Sequence, residues 1–145
     1  MKIYTIGFTK KSAPMFFELL AKSGVQRLID IRLNNTSQLA GFTKRDDFKY
    51  FLKELADIEY YHFDFLAPTE EIRDTYNKSK NWALYTKQFL HLLEERKALD
   101  QLDKKFFQEK TCCLLCSEAN PEYCHRKLVA NALKSRWHDV EVIHL

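Results

Sequence analysis

The segment Thr111–Ser117, TCCLLCS, is apolar on both of its alternating faces. A strand of that kind cannot present either side to water. It belongs in the middle of a sheet covered by helices on both faces, and sheets of that kind are parallel. The rest of the chain supplies such a sheet. Ile3–Phe8 (IYTIGF) is rich in β-branched and aromatic residues, meets a Gly near its end, and reads as a first strand. Ser12-Ala13-Pro14 opens a helix, with Ser12 as cap and the Pro in the first turn, where its missing N–H had no partner. Met15, Phe16, Leu19 and Leu20 form the apolar face of that helix, and Gly24 closes it. Arg27–Arg32 (RLIDIR) is a second strand. Strand, helix and strand within 32 residues make a βαβ unit, which forces the two strands to run parallel.

Leu33–Lys44 is a polar loop, longer than compact domains usually carry without a use for it. Thr43 followed by Asp46 resembles a capping box that starts a second helix. Phe48, Phe51, Leu52 and Leu55 recur at helical spacing along it. Glu59–Phe63 is a third strand, followed by a turn at Leu66–Thr69. Residues 70–110 read as helical and outside the sheet. They carry one stripe at Trp82, Tyr85, Phe89, Leu92 and Leu93 and another at Leu99, Leu102, Phe106 and Phe107, read as core rather than as a cofactor box. A helix from about Pro121 to Arg136 and a last strand at Glu141–Leu145 complete the chain. The expected fold is a Rossmann-like α/β three-layer sandwich, one domain over residues 1–145. It has about five mostly parallel strands in the order 3-2-1-4-5 and helices on both faces. Ligands of such sheets bind beyond the carboxyl ends of the strands, where the winding reverses. The expected order puts that reversal between strands one and four.

Composition narrows the function classes. With 145 residues, 3 Gly and 3 Pro there is no low-complexity linker, and no apolar run approaches a membrane span. The opening MKIYTIGF turns polar too soon for a signal peptide, so a cytoplasmic protein with reduced thiols is expected. Three of the four cysteines fall between Cys112 and Cys116, a poor layout for a disulfide framework. Net charge is +3, too mild to imply a nucleic-acid partner by itself. Residues 1–50 nevertheless hold nine Lys and Arg against four Asp and Glu, which leaves room for anion binding near the first two strands.

Reactive residue types gather where the fourth strand meets the last helix: Cys116, Glu118, Cys124, His125 and Arg126. Cys112 and Cys113 lie inside the strand and read as small core hydrophobes. Cys116 ends the strand. Cys124 falls in the first turn or so of the helix, where the positive end of the dipole favours thiolate, and Arg126 adds to that effect. Asn120-Pro121 is a plausible cap and first helical residue. Gly7, Thr9 and Lys10 after strand one, Asp30 and Arg32 at the end of strand two, and Asn34 and Lys44 in the long loop arrive at the same edge. They are the expected contacts of an anionic ligand, together with Arg126.

Three chemistries compete with plain packing. Cys116 or Cys124 can act as a nucleophilic thiolate, with His125 or Glu118 as acid or base and Arg126 holding an anionic group. Cys116, Cys124 and His125 can hold a metal, although adjacent helical residues point about 100° apart and no CxxC pair exists, so no metal is assigned. The two thiols can form a reversible disulfide across a seven-residue loop. The leading expectation is a cysteine-dependent enzyme, a hydrolase or transferase, acting on an anionic small molecule or nucleotide-like substrate without a cofactor. The alternatives are a non-catalytic nucleotide or nucleic-acid binding module using Lys10, Arg32, Lys44 and Arg126, and a thiol redox or metal-binding module. No membrane partner is expected.

With these motifs in place, the chain resembles the family named domain of unknown function 488 nearly end to end. TIGF (Thr5–Phe8) is similar to its strand-one motif and IDIR (Ile29–Arg32) to its Asp-Val-Arg motif. LLCSEANPEYCHR (Leu114–Arg126) is similar to its Leu-Cys-x-Glu…Pro-x-x-Cys-His-Arg signature. The resemblance marks Cys116, Glu118, Cys124, His125, Arg126, Asp30 and Arg32, and it implies fold and site without a reaction. Phe8 stands where the family often has His. Leu33-Asn34-Asn35-Thr36-Ser37 stands where it often has Pro and Ser, which implies a subgroup with its own ligand.

Overall fold

The computed structural model describes residues 1–35 and 41–145. Five strands are joined by helices: β1 (Lys2–Gly7), α1 (Ala13–Ser23), β2 (Arg27–Asp30), α2 (Arg45–Ala56), β3 (Glu59–His62), α3 (Glu70–Ser79), α4 (Trp82–Glu95), α5 (Lys104–Glu109), β4 (Cys112–Cys116), α6 (His125–Trp137) and β5 (Glu141–His144). All strand pairings are parallel, in the order β3-β2-β4-β1-β5. The fold is therefore the α/β sandwich expected, with one correction to its wiring. β4 lies between β2 and β1, not between β1 and β5. It is fully buried along its length, as its two apolar faces require. Placing it at the centre gives each of its faces a helix layer, whereas β1, with Lys2 and Tyr4 less buried, tolerates the next position out.

Side-chain alternation sorts the two cores. Ile3, Ile29, Ile31, Cys112 and Leu114 pack with α4, α5 and α6 through Phe89, Phe107, Val129 and Leu133. Ile6, Leu28, Cys113 and Leu115 pack on the other face with α1 and α2 through Phe16, Leu20, Phe48 and Leu52. Connections that move toward β3 run over the α1/α2 face, and those that move back run over the α6 face. That is the separation a single crossover hand imposes. The connections that leave β1 and β2 run over the α1/α2 face and the one that leaves β4 runs over the α6 face, so the winding reverses on both flanks of β4: against β1, as expected, and also against β2. Ile31 N–H donates to Leu115 O at 3.1 Å at this point, and the chains then part to opposite faces.

Local sequence signals held where nothing competed for them. Ser12 caps α1 by accepting from Met15 N–H, and Gly24 ends it with φ 80°. The capping box expected at Thr43 did not form. Lys44 is the N-cap of α2 without a side-chain bond, because Thr43 is turned toward Arg32. Leu55, on the expected apolar face of α2, remains exposed. The second stripe of residues 99–107 is broken by Asp103, which caps the short α5. No helix among the described residues is long and apolar enough to cross a membrane.

Candidate functional site: the cleft between β2 and β4

Period-two alternation puts Thr5, Gly7 and Cys116 on the α6 face of the sheet. The segment after β4 folds back over β1: Thr9 N–H donates to Ser117 O at 3.0 Å. It comes so close that a Cβ on Gly7 would lie 1.6 Å from Glu118 O and 2.7 Å from Arg126 Nη1. Gly7 therefore gives the loop its path. Pro121–Tyr123 forms a 3₁₀ turn capped by Asn120, and Cys124, in extended conformation, is the N-cap of α6. The helix thus begins at His125, later than Pro121, because the turn ends with Cys124 N–H bonded to Pro121 O. That break aims Cys124 back at the strand end, and its sulfur is bonded to that of Cys116, eight positions earlier in the chain.

Arg126 is fully buried beneath this pair. Its Nε donates to Thr5 Oγ1 at 3.2 Å and its Nη2 to Ala119 O at 3.2 Å. Nη1 donates to Glu118 O and to Cys116 Sγ, the latter at 3.1 Å. Burial lowers its pKa to about 10, so the guanidinium stays charged at neutral pH. Among the described residues no carboxylate forms an ion pair with it. His125 is 9 % exposed, and its Nε2 lies 2.7 Å from Ile31 O. Burial pushes its pKa down to about 4, so the ring is neutral. A carbonyl can only accept, so Nε2 carries the proton and Nδ1 keeps its lone pair. That lone pair sits 4.0 Å from Cys124 Sγ.

On the opposite face, Asp30 and Arg32 close a different structure. Arg32 Nε and Nη2 donate to the two Asp30 oxygens at 2.9 and 2.8 Å, a bidentate pair. Nη2 also reaches Thr43 O at 2.7 Å, and Nη1 reaches Thr43 Oγ1 at 3.3 Å. Tyr60 OH donates to Asp30 at 2.6 Å and accepts from Asn35 Nδ2 at 3.0 Å. The guanidinium lies 5.2 Å from the Phe8 ring centroid. Of the expected anion contacts, Asp30 and Arg32 are thus bound to each other, and together they fasten the start and end of the long loop. Residues 36–40 of that loop lie outside the described residues.

Between these two structures lies a cavity of about 260 Å³. Of the residues singled out in the sequence, Cys116, Glu118, Cys124, His125, Arg32 and Asn34 line it. Gly7, Thr9, Lys10, Lys44 and Arg126 do not. Thr9 ties the β1 loop to Ser117, and Lys10 is exposed at a turn with φ 64°. Arg126 acts from beneath, through Cys116. Cys112 and Cys113 are fully buried core residues; burial raises both thiols, Cys112 to about 12. Sequence reasoning missed the far wall: Arg73 and Tyr76 from α3, Tyr85 from α4, and Tyr123. Tyr85 fell within a helical stripe read as core, and it is core on one side and cavity wall on the other. Arg73, between Ile72 and Asp74, looked like any solvated helix residue.

The ligand atoms of Cys116, Cys124 and His125 lie within 4.8 Å of one another. With the sulfurs bonded to each other and a guanidinium on one of them, the set offers a cation a single neutral nitrogen.

Fold and site together define a doubly wound α/β protein with a cysteine pair at its switch point. The family described as Domain of unknown function DUF488 matches residues 12–133, from the start of α1 into α6, and the chain belongs to that family. No curated protein and no solved structure matches the chain.

Proposed function

We propose that this protein is a cysteine-dependent enzyme, a hydrolase or transferase, acting on a small anionic or nucleotide-like molecule in the cleft between β2 and β4. One observation carries this reading: the buried Arg126 guanidinium forms no ion pair with a carboxylate among the described residues and donates to Cys116 Sγ at 3.1 Å. A buried cation calls for a counter-charge, and Cys116 as thiolate is placed to provide one in direct contact, with the Glu118 carboxylate acting on the guanidinium without an ion-pair contact. Reduction of the Cys116–Cys124 bond by a cellular dithiol frees that thiolate. Cys124 takes up one proton, and His125 Nδ1 stands beside it as acceptor. Cys116 Sγ then bonds to an electrophilic carbon or phosphorus of the substrate, and the leaving group departs with the electron pair. His125, neutral and fixed through Ile31, is placed to take a proton from an incoming water or acceptor hydroxyl. Glu118 is the carboxyl group in the cleft that can protonate the leaving group.

The test is the alkylation rate of Cys116 by iodoacetamide against pH in reduced protein, read by mass spectrometry. Cys116 is expected to titrate well below ~8.5, and Arg126→Lys to raise that midpoint. A Cys116 that titrates at or above ~8.5, or is inert in the native protein, would sink the proposal.

A second reading rests on the sulfur–sulfur bond itself: the pair works as a thiol–disulfide couple, exchanging two electrons with a substrate dithiol. Catalysed reduction of a small disulfide, abolished equally by Cys116→Ser and Cys124→Ser, would favour it. Turnover that needs Cys116 and survives Cys124→Ser supports the nucleophile.

A further inference from the structure

The far wall of the cleft holds two polar groups that the chemistry above does not use. Arg73, on the second turn of α3, is exposed and lines the cavity that Cys116 lines. Among the described residues it forms no ion pair, although Glu70 lies one helical turn before it. It lines the same cavity as His125 and Tyr85, and its positive charge acts on both. Tyr85 is 7 % exposed, stacked on Trp82 with ring centroids 4.9 Å apart and on Phe89 at 6.1 Å. Both faces of its ring are thus held. Its hydroxyl, at the cavity wall, has no hydrogen-bond partner among the described residues. The hydroxyl oxygen is open to the cavity and so free to donate to a ligand that enters it.

We propose that the Arg73 guanidinium and the Tyr85 hydroxyl form an anion-binding subsite that receives a carboxylate or phosphate of the substrate. The chemistry fits both groups at once. An anionic oxygen bridging them takes a charge-assisted hydrogen bond from Arg73 and satisfies the Tyr85 donor. Arg32, one of the cations that the sequence suggested, is occupied by Asp30 and Thr43. The Tyr76 ring, 5.2 Å from Tyr85, gives the subsite an apolar side. This assignment rests on the cleft being the substrate site proposed above and names the group that anchors its substrate.

Two measurements test it on the full reduced chain. The first compares alkylation of Cys116 by iodoacetate and by iodoacetamide. The ratio of the two rates is expected to fall about tenfold in Arg73→Gln, the loss of one charge-assisted hydrogen bond, and less in Arg73→Lys and Tyr85→Phe. Arg73→Gln keeps helix propensity at an exposed position, so the variant should fold. The second titrates inorganic phosphate, and separately acetate, against the fluorescence of Trp82 in a Trp137→Phe background. Saturable quenching that weakens about tenfold in Arg73→Gln supports the subsite. The stronger of the two anions tells phosphate from carboxylate. An unchanged alkylation ratio together with anion binding indifferent to Arg73 overturns the subsite, whatever Cys116 does. A Cys116 inert to both reagents, with Arg73-dependent anion binding intact, overturns the thiol enzyme and leaves the subsite standing.

Discussion

Two arginines flank the same cleft, Arg32 just after β2 and Arg126 in the first turn of α6, and they have opposite fates. Arg32 is 4 % exposed and meets a carboxylate of its own chain in bidentate geometry, with Thr43 taking up further donors. Arg126 is still more buried and, among the described residues, hydrogen-bonds to carbonyls, a hydroxyl and the Cys116 sulfur. Arg32 closes a strand-end motif and Arg126 a strand-to-helix motif, and neither motif reveals which one is satisfied. The difference teaches how to tell a structural ion pair from a functional cation. A closed pair has neutralised its own field and holds loops together. A buried cation left without an acid keeps its field and imposes it on the nearest ionisable atom.

The sharpest way to break this contrast is to remove one partner from each side. Asp30→Asn leaves Arg32 charged, buried and unpaired, and is expected to cost about 3–5 kcal/mol in urea unfolding. Arg126→Met removes a charge that had no acid partner. It is expected to cost less, about 1–3 kcal/mol, for the acceptors it leaves without a donor. Equal losses would erase the distinction between the two sites.

The pH dependence of stability sharpens the same contrast from the His125 side. Its folded pKa of about 4 lies below the ordinary histidine value of 6.5, so the unfolded chain binds the proton more readily. Its contribution is fully present above pH 6.5 and is lost as pH falls toward 4, amounting to about 3 kcal/mol for this ring. Asp30→Asn should leave this slope in place, and His125→Gln should flatten it. A wild-type stability flat between pH 6.5 and 4 would contradict the buried neutral ring.

Gly7→Ala is the most local of these changes. The new Cβ meets Glu118 O, which is backbone and cannot swing aside, and is expected to cost about 1–3 kcal/mol. Because the displaced loop carries the Arg126 acceptors, Cys116 reactivity should change along with stability. The Asp30–Arg32 side should keep its thermal response. Unaltered Cys116 alkylation in Gly7→Ala would separate the loop path from the thiol environment.

Much of the fold could be read from residues alone because its signals are local. TCCLLCS is apolar on both faces and must be central. Ser12, Pro14 and Gly24 bound a helix without help from elsewhere. The expected strand order failed because local signals end at the strand. Whether β4 enters beside β1 on its outer or inner flank depends on which position offers two covered faces, a property of the assembled sheet. The site divided in the same way. Cys116, Cys124, His125 and Arg126 stood out because four reactive residues lie within eleven positions. Arg73 and Tyr85 did not, because nothing within their own helices distinguishes a cavity wall from a solvated or buried face.

The sequence by itself determined that a parallel sheet with helices on both faces would form and that thiols, a histidine and an arginine would meet at one strand end. Periodicity and motif spacing act over a few residues and need no partner. Only the tertiary structure decided that Arg32 is closed by Asp30 while Arg126 faces a sulfur, and that the winding reverses at β2 and β4. It also decided that an arginine from a distant helix overlooks the thiols. Pairing and burial are properties of through-space neighbours, and those exist only once the chain has folded.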